Sequence, residues 1–253
     1  MQEILVKSSL DGKIEPNLFY KAKGKNRPLL IGLHTWSYDR NNLVEQLKPI
    51  AKLNDWNLLL PNFRGPNVIG NPQKEKTCGS KYAVQDVFDA ITYVEENFDI
   101  DKNNKLVIGL SGGGQLGLLL IGKRPEAFRA GIVYVPICDL ALWHDQNFNY
   151  YGEQMDELIG FSPKTNIEEY KSRSPITYAE NLAKANLKIC HGKFDTVVPF
   201  TQSVKLYEKI NEIDSNSRVF LEVFDGKHQW ELNKAIEWLK EQMENKQLDN
   251  VTG

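Results

Sequence analysis

Apolar residues fall along this chain in two alternating patterns, short unbroken runs and stripes spaced for one face of a helix. Residues 4–8 and 14–22 are β-like runs joined through Asp11-Gly12, a pair suited to a hairpin turn. Pro28 leads into an apolar strand at 29–33 that ends on His34-Thr35-Trp36. Leu43, Leu47, Ile50 and Leu53 mark a helix face, with Asn41 or Asn42 placed to cap it. A strand at 56–60 precedes a loop at 61–66, and the polar, Gly- and Pro-bearing stretch 67–79 reads as a surface loop. Val84, Val87, Ile91 and Val94 give helical spacing to 82–98. Strands follow at 105–110, 129–135, 187–191 and 218–224, with helices after Ser111, at 201–213 and at 229–244. Strands alternating with helices predict a mainly parallel sheet covered on both faces. Between 138 and 173 lies a polar-aromatic segment with Trp143, Tyr150 and Tyr151, too long for a plain connection and expected to form short helices over the site.

Composition narrows the class. At 253 residues the chain suits one domain, 1–253, burying roughly three quarters of its unfolded surface. A net charge of −2 leaves no electrostatic footprint for nucleic acid or an anionic membrane. No apolar stretch approaches a membrane span and no signal peptide opens the chain, so the expected location is cytoplasmic. Three widely spaced cysteines suggest neither a disulfide framework nor a zinc site; the expectation is of buried fillers and no metal.

The chemistry centres on 105–117, KLVIGLSGGGQLG. A buried strand runs into Gly109-Leu110-Ser111-Gly112-Gly113, a G-x-S-x-G pattern at a strand-to-helix turn. Small neighbours let the chain turn sharply, lift the serine hydroxyl off the sheet and set a helix N-terminus behind it. The same letters, from Gly112 to Gly117, also read as G-x-G-x-x-G, with Asp139 near the distance of a ribose-binding acid. Ser111 as a plain helix cap is the bland reading.

Residues downstream decide between them. A serine needs a base, itself held in place. Of four histidines, His228 lies on the loop after the last strand, and Asp195 on the loop after the strand before it. The order Ser111, Asp195, His228 suits an α/β-hydrolase, and the dinucleotide reading leaves both loops unexplained. Asp139 and Asp225 are rival acids. His34 and His191 are expected to make structural hydrogen bonds beneath the site, and Arg64 to pin neighbouring loops.

With FRG at 63–65, GLSGGG at 109–114, HGKFDTVVPFTQS at 191–203 and GKH at 226–228, nearly the whole chain resembles the catalytic domain of the prolyl oligopeptidase branch of the α/β-hydrolases. Its most diagnostic part is H-G-x-x-D-x-x-V-P at 191–199. The resemblance implies an α/β-hydrolase fold with a short lid-like insertion at 138–173, catalysis by Ser111, Asp195 and His228, and no cofactor. Many relatives carry His-Gly-Gly where this chain has His34-Thr35-Trp36, so the expected oxyanion donors are the Gly112 N–H and that of Trp36 or Thr35. Trp36, Trp143 and Tyr151 are expected against substrate. The expectation is that no N-terminal propeller, which in oligopeptidases restricts access to short peptides, precedes the domain. The expected reaction is therefore hydrolysis of small carboxylic esters, such as an acylated sugar, with a peptidase acting on short peptides as the alternative and a non-catalytic binding module as the rival of another class.

Overall fold

A computed structural model describes residues 1–249. Strands β1 (Gln2–Lys7) and β2 (Ile14–Tyr20) form the expected antiparallel hairpin, with Gly12 taking φ 72° at its turn. They lead into β3 (Arg27–Leu33), β4 (Asn57–Leu60), β5 (Ile100–Leu110), β6 (Ala130–Tyr134), β7 (Leu187–Gly192) and β8 (Val219–Phe224). The sheet order is β1-β2-β4-β3-β5-β6-β7-β8, and every pairing from β4 onward is parallel.

Alternation within the strands builds a core on each side. Leu29, Ile31, Val107 and Val133 face one layer, packed by α2 (Lys81–Asn97), α3 (Gly112–Lys123) and α8 (Thr201–Ile213). Leu30, Leu58, Ile108 and Ile132 face the other, packed by α1 (Val44–Asn54) and α9 (Leu232–Asp249). Consecutive strand residues point to opposite faces, so a strand buried on both sides reads as an unbroken apolar run. Among the described residues no helix is long and apolar enough to cross a membrane.

Segment 138–173 folds as α4 (Leu140–Gln146), a short π-turn (Phe148–Gly152), α5 (Glu153–Ile159) and α6 (Ile167–Ser172), and α7 (Ala179–Leu182) follows. Asp139, one of the rival acids, caps α4 by accepting the Leu142 N–H at 3.1 Å. The three cysteines are free and buried.

Three local expectations are corrected. Neither Asn41 nor Asn42 caps α1: its N-cap is Leu43, without a side-chain bond, because the Asn42 amide is engaged by the backbone after β3. Leu53 is 84% exposed, and Leu47 and Ala51 supply the buried face instead. The stretch 67–79 is also less superficial than its composition suggests, since Asn67, Thr77 and Cys78 are buried and the Asn67 side chain accepts the Cys78 N–H at 3.1 Å.

Candidate active site

Ser111, Gly112, Trp36, Asp195 and His228 lie at the C-terminal ends of the parallel strands, where loops from β3, β5, β7 and β8 converge. Ser111 occupies the junction of β5 and α3 with φ 58° and ψ −119°, a conformation a side-chain-bearing residue rarely adopts. Its N–H is tied to the Tyr134 carbonyl at 2.9 Å, while its hydroxyl caps nothing. The bland reading of this serine as a helix cap is thereby removed. The turn needs glycine behind it: a Cβ on Gly113 would fall 2.1 Å from the Leu33 carbonyl oxygen.

The loop after β3 meets this turn from the side. A Cβ on Gly112 would stand 3.0 Å from the Trp36 backbone nitrogen, so the two N–H groups are close neighbours. The Thr35 N–H is occupied by the Asn42 side chain at 3.0 Å, which leaves Trp36 as the donor on this loop. Neither the Trp36 nor the Gly112 N–H has an acceptor among the described residues; at Gly112 this follows from its place in the first turn of α3.

Asp195 and His228 meet because backbone hydrogen bonds tie the chain just beyond β7 to the end of β8 and the turn after it. Lys193 N–H donates to the Phe224 carbonyl and Phe194 N–H to that of Gly226, both at 2.9 Å. The His228 ring then reaches the Asp195 carboxylate, Nδ1 to Oδ2, at 2.7 Å. With Asp195 an acceptor, Nδ1 carries the proton and Nε2 is left as the basic nitrogen. The other oxygen of Asp195 accepts the Val197 and Val198 N–H groups at 2.8 and 2.9 Å. Burial pushes this carboxyl up, but the hydrogen bonds from His191, His228 and the Val198 N–H outweigh it and hold it well below the usual carboxylate range. Asp225 is exposed, and among the described residues the carboxylate paired with the ring is that of Asp195.

His191 lies fully buried under this arrangement, with Ser203 Oγ at 2.7 Å from Nδ1 and the Val198 carbonyl at 2.8 Å from Nε2. His34 contacts the Thr35 and Asn62 carbonyls at 2.9 and 2.8 Å and stacks on Phe63. Burial lowers its tendency to take up a proton, against the pull of those carbonyls. Arg64, fully buried, binds the carboxylates of Asp86 and Asp11 and the Gln73 amide, away from the cavity.

Ser111 and His228 share a cavity of about 230 Å³ whose walls are Trp36, Trp143, Tyr151, Leu110, Val197 and the 35–38 loop. Trp143 is edge-on to Trp36 at 5.2 Å, stacks on Tyr151 at 4.9 Å, and is fixed by its Nε1–H to the Val197 carbonyl at 2.9 Å. All three aromatics named from sequence for substrate contact are therefore on its wall, whereas Tyr150 is 67% exposed and is not. Ser37, Tyr38, Leu110 and Val197 were not singled out in sequence. Their only signal was adjacency to Trp36, Ser111 and Asp195 on the same converging loops. Apart from His228 the lining holds no ionisable acid or base other than tyrosine.

Comparison with known proteins gives the same picture. The rice (Oryza sativa subsp. japonica) acylamino-acid-releasing enzyme 2 is 28% identical over 176 residues, 66% of this chain and 23% of that enzyme. The inactive dipeptidyl peptidase 10 of Rattus norvegicus is 25% identical over 166 residues, 66% of this chain and 20% of that protein. The matched segment thus spans less than a quarter of the length of these relatives. Among solved structures, the Pyrococcus furiosus esterase Pf2001 superposes with a TM-score of 0.71 at 19% identity, covering 95% of this chain and 92% of the esterase. That likeness is one of fold, the α/β-hydrolase fold. Residues 52–245 match the prolyl oligopeptidase family, so the GLSGGG turn and the Asp195 and His228 loops all fall within the matched span. The chain belongs to the prolyl oligopeptidase family of serine hydrolases.

Proposed function

We propose that the chain hydrolyses small carboxylic esters through an acyl-enzyme. The observation that carries this reading is the 2.7 Å contact of His228 with Asp195, in a cavity that also holds an uncapped serine hydroxyl. Ser111 Oγ attacks the substrate carbonyl as His228 Nε2 takes its proton; the C–O bond to the alcohol breaks as His228 returns that proton to it. Water then repeats the sequence to release the acid. Asp195 holds the ring in the tautomer with Nδ1 protonated and stabilises the imidazolium. The free N–H groups of Gly112 and Trp36 receive the oxyanion as charge develops.

Specificity follows from the walls. Trp36, Trp143 and Tyr151 suit a short apolar acyl group, and a lining without a carboxylate gives no counter-charge for a free α-ammonium. Substrates with a free amino terminus are therefore disfavoured relative to neutral acyl groups. A second reading, release of a blocked amino-terminal residue from a short peptide, has the same neutral character and is favoured by the likeness to the rice enzyme. Non-catalytic binding is the third, with the rat relative named inactive as its precedent.

A fluorophosphonate probe tests the chemistry: labelling of the wild type and none of Ser111→Ala is expected, and an unlabelled wild type refutes it. Turnover of p-nitrophenyl acetate and butyrate should then exceed that of N-acetylaminoacyl anilides, with free aminoacyl anilides slowest. Faster cleavage of either anilide would replace the ester reading with a peptidase.

A further inference from the structure

β8 is the last strand of the sheet, and among the described residues its outer edge pairs with nothing. Which groups that edge presents follows from the ladder. Leu187 N–H donates to the Arg218 carbonyl at 3.0 Å and Lys193 N–H to that of Phe224 at 2.9 Å. Even-numbered residues thus turn their backbone toward β7, and the N–H and C=O groups of Val219, Leu221 and Val223 point outward. Phe220 is 48% and Val223 42% exposed, large apolar groups on the two faces of one open strand. Sheet edges are ordinarily blunted by charge, proline or a bulge.

Arg218, Phe220 and Glu222 form a row on one face, beside a groove of about 570 Å³ that they line with Lys188, Trp238 and Gln242. Glu222 is engaged by Lys188 at 2.6 Å. The Arg218 guanidinium has no partner among the described residues.

We propose that this edge pairs antiparallel with β8 of a second copy, about a twofold axis at Phe220. Chemistry selects the register. A twofold axis normal to the sheet keeps every residue on its own face, so odd residues oppose odd ones and even residues even ones. Centred on Phe220, the pairing sets Phe220 against Phe220 and Arg218 against Glu222 twice, while Val219 and Leu221 exchange the backbone bonds. Centred on Glu222 it would oppose two carboxylates. Centred on Leu221 it would set Phe220 against Glu222 and Arg218 against Phe224. Of the three, the first alone matches both charges and both rings. The other free edge, β1, exposes Leu5 as its one large apolar side chain, and its Glu3 is held by Arg40 at 2.7 Å.

Sedimentation velocity on the full chain is expected to show a concentration-dependent dimer. Phe220→Lys, which opposes two cations, should weaken it at least about tenfold. Arg218→Glu alone and Glu222→Arg alone should each weaken it, and an equimolar mixture of these two variants should restore association, because an acidic row then meets a basic one. Circular dichroism confirms that each variant is folded. Phe220→Cys should cross-link on oxidation, since opposed residues of this kind stand within disulfide reach, and Leu5→Cys should not. A wild type monomeric up to high micromolar concentration overturns the proposal. So does a dimer indifferent to Phe220→Lys, failure of the mixture to reassociate, or cross-linking through Leu5→Cys instead.

Discussion

Asp195 has each carboxylate oxygen committed to a different task. Oδ1 holds the backbone of the 195–198 turn and Oδ2 holds His228. Asp195→Asn separates the two. Its amide oxygen can keep the Val197 and Val198 N–H bonds, but its NH2 group faces Nδ1 and forces the proton onto Nε2, the wrong tautomer for a base. Under the proposed mechanism kcat for an activated ester falls roughly a thousand- to ten-thousandfold, with the fold retained. Steady-state kinetics beside a thermal melt check both halves. Asn42→Ala makes a milder test of the β3 loop. Losing the acceptor that holds Thr35 leaves Trp36 less firmly placed, and kcat should fall roughly tenfold with little change in KM.

Between elements, two assemblies do different work. Arg64 joins the turn of the β1–β2 hairpin, the 61–79 loop and α2 through Asp11, Gln73 and Asp86. Burial alone would push the guanidinium down, but the bonds to Asp86 and Asp11 hold it above its ordinary value. Arg64→Met leaves buried carboxylates without their cation and should cost roughly 3–5 kcal/mol in urea denaturation. Near the cavity, Tyr151 on the π-turn stacks over Trp143 of α4. Tyr151→Ala opens that wall, and the ratio of butyrate to acetate turnover should rise several-fold; an unchanged ratio would place the acyl group elsewhere. The expected short helices of 138–173 were legible as a long aromatic stretch. Which rings turn inward was not, because it depends on the Trp143 bond to the Val197 carbonyl, made across 54 residues.

At the scale of the molecule, protonation links the site to stability. The hydrogen bonds that outweigh burial at Asp195, and those of Arg64 and Lys76 at Asp11, hold both carboxyls below their unfolded values. Such groups contribute stability that is complete above the ordinary carboxylate range and lost as pH falls through the folded value. Asp86 works against them, because burial raises it despite Arg64. The urea midpoint should therefore fall as pH is lowered from neutrality into the acid range, and more shallowly in Asp195→Asn. A midpoint independent of pH would contradict both assignments.

Periodicity alone determined the parallel sheet and its helices, because a strand buried on two faces and a helix buried on one leave distinct local marks. Motif order likewise placed Ser111, Asp195 and His228 on separate strand-end loops. What lay beyond local pattern were choices among equivalent residues. Asn42 reads as a helix cap but instead occupies the Thr35 N–H, and only that contact leaves Trp36 as the open donor. Asp139, Asp195 and Asp225 are alike as letters; backbone hydrogen bonds between the segments that follow β7 and end β8 put one of them 2.7 Å from His228, a residue 33 positions away.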